Sequence, residues 1–377
     1  MPPGSDQRRT SQARIGRGAG HNPANRFESV RHELDLEALA AVELNEDFVG
    51  DEDGDHGTLR KTKTEFFPDA TKSIIATNDS PDISFSFSIN PYRGCEHGCA
   101  YCYARPGHEY LGLSGGLDFE TKIFVKHDAA TLLRDELNKP SWKGTESIAI
   151  SGVTDCYQPA ERQFKITRGI LEVCLEAGQA CGIVTKNALV LRDIDLLSEL
   201  ARRSLVRVYI SITTLDAELA RSMEPRTSPP VRRLAAIRAL SAAGVPTGVM
   251  TAPIIPGLND VEIPALLQAA AEAGAQTASY VLLRLPHSVR PVFEEWLTRC
   301  YPQHADRVLG HIQATRGGKM NGTQFGTRMS GEGNYAEGIR TTFALFRKKY
   351  KLDGAMPPYD FTQFRPPSTS EGQQRLF

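Results

Sequence analysis

Between residues 83 and 300 the sequence repeats one unit six times: a short apolar run, a turn, and an amphipathic helical stretch. The first run alternates strictly, with Ile83, Phe85, Phe87 and Ile89 apolar and Ser84, Ser86 and Ser88 between them, which predicts a strand. Further strands are predicted over Ser147 to Val153, Gly182 to Thr185, Val206 to Thr213, Val245 to Ala252 and Ala278 to Leu283. Between them, Leu132, Leu133 and Leu137, then Leu196, Leu197 and Leu200, then Leu234, Ile237 and Leu240 recur at helical spacing, the last helix stopping at Gly244. A strand-then-helix repeat demands parallel strands joined by right-handed crossovers, hence an α/β fold, either a doubly wound sheet or an open barrel. In both, ligands gather at the C-terminal ends of the strands.

The first strand runs into Asn90-Pro-Tyr-Arg-Gly-Cys-Glu-His-Gly-Cys-Ala-Tyr-Cys-Tyr-Ala-Arg105, which sets Cys95, Cys99 and Cys102 at a C-x3-C-x2-C spacing. Three sulfurs so close can converge on one cuboidal iron–sulfur cluster, leaving one iron without a protein ligand and open for catalysis. The same thiolates with His97 or His108 would make a zinc site, although zinc sites commonly use paired C-x2-C units and only one pair exists here. Disulfides fit poorly, because three is an odd number and Cys156, Cys174, Cys181 and Cys300 are scattered singly.

Residues just after the predicted strands supply a ring of polar groups: Thr154 and Asp155, Lys186, Ser211 and Thr213, Asn259 and Arg284. Glu224 and Arg226, flanking Pro225, add an acceptor and a forked donor. With 44 basic and 45 acidic residues the chain is not a wholesale polyanion binder, though a local basic channel remains compatible. No apolar run is long enough to cross a bilayer, so a soluble protein without a membrane partner is expected.

The C-x3-C-x-aromatic-C pattern, with Tyr101 in the aromatic slot, resembles the signature of the radical S-adenosylmethionine (SAM) superfamily. That resemblance implies a partial (β/α)6 TIM-like barrel, a [4Fe-4S] cluster on Cys95, Cys99 and Cys102, and SAM as second cofactor. It implies SAM contacts from Tyr101, Thr154, Asp155, Lys186, Ser211, Thr213, Glu224, Arg226 and Asn259. Thr154-Asp155 stands where the superfamily usually contacts the SAM amino group, without the commoner Gly-Gly-Glu wording.

The stretches Ser88 to Cys99, Thr154 to Pro159, Thr185-Lys186, Leu191 to Asp193, Glu224 to Arg226 and Ala252 to Pro256 together resemble one branch of that superfamily. It is the branch related to spore photoproduct lyase, often labelled DNA-repair-photolyase-like. The implied chemistry is reductive cleavage of SAM to a 5′-deoxyadenosyl radical, which takes hydrogen from a substrate, here a nucleic acid lesion or modification. The alternatives are the same first step on a protein or small molecule, or a zinc-binding module without activity. A low-potential cluster implies a cytoplasmic setting and an electron donor of flavodoxin or ferredoxin type. Cys156 stands where relatives tend to have proline; beside the expected SAM site its thiol could return a hydrogen atom to a substrate radical, or simply fill a gap.

Residues 1–77 are polar, with basic runs and an acidic patch, and are expected to lack a packed fold apart from a short helical pattern at Leu34, Leu36, Leu39 and Val42. Residues 78–320 form the expected core, 321–352 an extension packed on it, and 353–377 a flexible tail. The segment from Arg316 to Gly333, rich in Gly, Arg and Lys, reads as a structural loop whose cations could touch phosphates, and it fits no phosphate-loop pattern. The tail's Gln373, Leu376 and Phe377 resemble the short motif with which bacterial repair and replication proteins dock on the sliding clamp.

Overall fold

The computed structural model describes residues 16–28 and 62–368. Six strands lie parallel and in chain order: β1 (Phe87–Ile89), β2 (Ile148–Ile150), β3 (Cys181–Thr185), β4 (Val206–Ser211), β5 (Thr247–Ile254) and β6 (Thr277–Leu282). Each is followed by a helix: α1 (Ala129–Asn138), α2 (Ile166–Ala177), α3 (Ile194–Arg202), α4 (Pro230–Ala242) and α5 (Ile263–Glu272) in the crossovers, and α6 (Val289–Cys300) after the last strand. Leu133 and Leu137, Leu197 and Leu200, and Ile237 and Leu240 are fully buried, so the three- and four-residue spacings do face the sheet. Each such side chain contributes about 1.5–3 kcal/mol by leaving water.

Strand Ile75–Thr77 pairs antiparallel with β1 and forms one edge of this sheet, while β6 forms the other. The two edges are not hydrogen-bonded to each other, so the sheet is a partial barrel. The seam between them is crossed by side chains. Arg328 is ion-paired with Asp82, Gly326 N donates to Asp82, and Leu282 N donates to Met329 O. This segment joins the helices α7 (Ala305–Ala314) and α8 (Gly333–Lys349).

Several strands are shorter than their patterns. The first begins at Phe87, because Asn78 closes a loop by bonding Ser86 O and Phe85 O, and Pro81 cannot donate to a ladder. The second ends at Ile150, since Ser151 takes a φ of 81° and leaves extended geometry.

Both terminal expectations need correction. Residues 62–77 supply two strands, Glu65–Pro68 pairing with Lys122–Val125 and Ile75–Thr77 pairing with β1. Residues 16–28 lie across the cysteine loop, with Ala19 and Arg17 buried. Their polarity misled because they are held by hydrogen bonds rather than apolar burial. Residues 353–368 are likewise packed: Tyr359 donates to Cys181 O at 3.2 Å under Arg207, and Phe364 lies on Gly144, where a Cβ would come within 2.1 Å of its ring. Gln363 donates to Arg203 O and Arg365 N to Ala177 O, so this segment floors the barrel at the N-terminal ends of its strands. The helical pattern at Leu34 to Val42 and the tail residues Gln373, Leu376 and Phe377 lie outside the described residues. No helix among the described residues is long and apolar enough to cross a membrane.

Candidate metal centre

Beyond β1 the chain turns twice in the left-handed region, at Gly94 (φ 79°) and Gly98 (φ 65°), where side chains are strained and a Cβ would strike Phe119 O or the Glu120 carboxylate. These turns lay Cys95, Cys99 and Cys102 over the C-terminal mouth of the barrel. Cys95 N donates to Phe119 O, and Cys102 N to Cys99 O at 3.2 Å. Arg105, wholly buried, pins the loop: its guanidinium reaches Cys99 O at 2.7 and 3.1 Å, the carbonyls of Gly115 and Gly116, and Glu120 at 2.6 Å.

Glu120 is a hub. Besides Arg105 it accepts from Gly18 N and Ala19 N at 3.1 and 2.8 Å, while Arg17 donates to its main-chain oxygen. Residues 16–28 form a strap that these bonds press, at Gly18, against the cysteine loop. A Cβ on Gly18 would sit 1.8 Å from Gly98 O, a main-chain atom that cannot move aside alone. Gly18→Ala is therefore expected to displace the strap and lower stability by about 1–3 kcal/mol, with faster bleaching of the reconstituted protein's iron absorbance in air; both are read from urea melts and timed spectra.

All seven cysteines are free thiols. Cys95 and Cys99 are buried and Cys102 is half-buried. Burial raises all three thiols; Cys95 is raised further by Asp155 and by the other two sulfurs, and Cys99 by Glu224. Thiolates here need a positive metal centre to be stable, and the neighbouring sulfurs are close enough to feel one another. Among the described residues no three Cys, His, Asp or Glu side chains converge on a single ion. Three corners of a cuboid have no need to, since each thiolate takes its own iron. The zinc alternative loses its fourth ligand: His97 Nε2 faces Asn187 Nδ2 at 3.2 Å and its Nδ1 faces Asp155, while His108 Nε2 donates to Lys122 O at 3.0 Å. The donor set fits a three-thiolate cluster.

His108 also makes a pH-sensitive joint beneath the loop. Burial drives its imidazole down to about 4, below its ordinary 6.5, so the unfolded chain takes up that proton first. Stability from this group is complete above pH 6.5 and is lost as pH falls towards 4, on the order of 3 kcal/mol in all. His108→Gln, which can still donate to Lys122 O, is expected to flatten the fall in melting midpoint between pH 6.5 and 4 relative to the unsubstituted protein.

The other expected site residues divide into two groups. Asp155 and Lys186 face the mouth. The Asp155 carboxylate accepts from Thr185 Oγ1, Lys186 N and Tyr157 N at 2.7–2.8 Å, and the Lys186 ammonium stands 5.8 Å above the Tyr101 ring. The second group is committed to the protein. Thr154 donates to Tyr92 O, Ser211 to Ala252 O, and Asn259 to Thr213 O and Pro253 O. Thr213 and Tyr101 both donate to Glu224, which is ion-paired with Arg233. Burial works to raise the Glu224 carboxyl, but Arg233 and Lys186 outweigh it and hold it below the usual range. Glu224 thus props Tyr101 rather than waiting free for a ligand. Arg226 is paired with Glu96 at 2.9 Å and bonds Thr64, with its N–H on His97 O, so it braces the cysteine loop.

Cys156 is not brought to the site. It is fully buried in the main apolar core with Tyr92, Tyr157 and Cys174, because Asp155 takes the mouth-facing position and the next side chain turns inward. Arg105, Glu120 and Arg233 escaped the sequence reading; their only signal was a charged residue inside an otherwise apolar or glycine-rich stretch.

The Radical SAM superfamily model matches residues 89–270. An uncharacterized protein of Mycobacterium tuberculosis is 40% identical over 227 residues, covering 60% of this chain and 66% of the relative. The match thus spans just under two thirds of that relative's own length. An uncharacterized Methanocaldococcus jannaschii protein is 32% identical over 176 residues, 47% of this chain and 63% of its own. Among solved structures, a spore photoproduct lyase double mutant with bound AdoMet and dinucleoside spore photoproduct superposes with a TM-score of 0.54 at 18% identity, covering 76% of this chain and 78% of that one. The likeness extends to the fold, and the superfamily uses a [4Fe-4S] cluster with SAM. With three cysteines over the mouth of a partial barrel, two of them buried, and the superfamily model running from the end of β1 into α5, residues 89–270 form a radical SAM domain.

Proposed function

We propose that this protein reductively cleaves SAM and uses the resulting radical to take hydrogen from a nucleic acid carrying a lesion or modification. The observation that carries the first half is the cysteine loop itself, three thiols pinned over the strand ends by one buried arginine. When bound, the cluster supplies one electron to the SAM sulfonium, releasing methionine and a 5′-deoxyadenosyl radical. Cys95, Cys99 and Cys102 would hold it, Asp155 is the acceptor available for the SAM ammonium, and Lys186 the nearby cation for its carboxylate. Thr154, Ser211, Asn259 and the Thr213–Tyr101–Glu224 cluster would brace the strand-end loops around these groups through their bonds within the protein, and residues 16–28 would shield the cysteine loop at Gly98. A flavodoxin- or ferredoxin-type protein would deliver the electron. The nucleic acid half is supported by a fold shared with a lyase whose structure holds a dinucleoside photoproduct.

The test is deoxyadenosine formation by anaerobic, reduced protein with SAM, in the presence of irradiated DNA, undamaged DNA, or a peptide mixture. Stimulation by DNA, with deuterium passing from labelled DNA into deoxyadenosine, is expected. Stimulation by peptides alone would move the reading to a protein substrate.

A further inference from the structure

On the flank of the mouth where the sheet stays open, a cavity of about 530 Å³ is lined by Arg284, His287, Arg290, Lys319, Asn321 and Arg328, with no carboxylate in its lining. Arg284 follows β6 almost directly. Its Nε is buried without a hydrogen-bond partner, and its Nη1 reaches only Met329 Sδ at 3.7 Å. Arg316 lies behind it, buried, spending its terminal nitrogens on the carbonyls of Leu282, Leu283, Thr327 and Arg328 and leaving its own Nε unmet. Arg328 is the one of the three that is paired, with Asp82, and it lies 4.4 Å over the exposed Phe325 ring.

Three guanidiniums crowded at one place repel. Burial, and then Arg284, push Arg316 down to about 10; burial, and then Arg328, lower Arg284. The facing carboxylates are Asp82, already paired, and Glu332, which acts on Arg316. A cluster so short of negative charge is relieved by an anion with several acceptor oxygens, and a forked guanidinium matches a phosphate. The cavity also adjoins the chemistry. Tyr103, the residue after Cys102, is 52% exposed, its hydroxyl donates to Gly152 O just beyond β2, and the Arg284 charge favours its ionised form. Exposed aromatic rings beside a cationic groove are the composition of a single-strand platform, where bases stack and phosphates are neutralised. The other large cavity, lined by Arg162, Arg192, Arg226 and Arg232, fits less well, since Arg192 and Arg226 are already paired with Glu161, Asp193 and Glu96.

We propose that the cavity between β6 and residues 319–328 is a phosphate site that grips the backbone of a single-stranded nucleic acid segment and holds the adjoining nucleotide before the cysteine loop. This rests on the nucleic acid reading above. The test is fluorescence anisotropy of a labelled single-stranded oligonucleotide with the full, anaerobically reconstituted chain, beside calorimetry with inorganic phosphate and a nucleoside monophosphate. Lys319→Glu reverses an exposed charge; Arg284→Gln removes the orphan group. The unsubstituted protein should bind the oligonucleotide in a salt-dependent way. Lys319→Glu should weaken binding by about ten-fold and flatten the salt slope by about one, with iron content and substrate-independent SAM cleavage unchanged; Arg284→Gln should weaken it likewise. Oligonucleotide binding that neither variant alters overturns the site while leaving the nucleic acid reading intact. Loss of mononucleotide and phosphate binding in the variants, with no oligonucleotide binding by the parent, upholds the phosphate site and overturns the nucleic acid reading. Absence of all binding overturns both.

Discussion

Replacing Cys95, Cys99 or Cys102 by alanine is expected to reduce both iron retention and deoxyadenosine formation to background, while the protein stays folded. Each side chain is small, and its truncation costs the fold about 1 kcal/mol, the common size of a point substitution. The three sulfurs act as one ligand set, so losing any one leaves a cluster without the corner it needs, and no nearby imidazole can replace it because His97 and His108 are turned to other partners. Iron analysis and product chromatography of anaerobic preparations check this, with Cys300→Ala as the control that should change neither. Cys156→Ala belongs in the same series. Its thiol is enclosed in the core, so the expected effect is on stability and not on the fate of a substrate radical.

Glu224→Ala is expected to cost about 3–5 kcal/mol, because it leaves the Arg233 guanidinium buried with no counter-charge. Arg233 is 1% exposed and its other bonds are to Ser228 O, Ser211 O and Thr227, none of which is charged. The same change frees the Tyr101 hydroxyl beneath the cysteine loop, so weaker SAM binding should accompany the lost stability. Denaturant melts and equilibrium dialysis with SAM separate the two. Glu224→Leu combined with Arg233→Met should recover most of the stability, since removing both buried charges is far less costly than removing one, while SAM binding stays impaired.

These two residues show where sequence reasoning reaches its end. Cys95, Cys99 and Cys102 were legible as a group because their spacing is short and local, within one loop. The six strand–helix units were legible because each carries its own periodicity, and the residues of the polar ring lie at or just beyond the strand ends. What could not be read was which ring members are spent on each other. Glu224 and Arg233 are brought together by the turn from Met223 into α4, and Arg105 meets Glu120 only after the intervening glycine-rich stretch has folded back. Thr154 and Asn259 look like free donors in the sequence and turn out to serve main-chain carbonyls. Composition misjudged residues 16–28 and 353–368 for a related reason: segments with few apolar residues can still dock when glycines admit close approach, as at Gly18, or when a few aromatic rings find a groove, as at Tyr359 and Phe364.

The Glu120 carboxylate answers to two clients at once, the strap through Gly18 and Ala19 and the cysteine loop through Arg105. Free energy shared in this way runs in both directions. Filling the metal corner should quieten residues 16–28, and loosening those residues should make iron easier to strip. Protease nicking near residues 16–28 would then serve as a gauge of cofactor loading, slow in the charged enzyme and quick in the empty one.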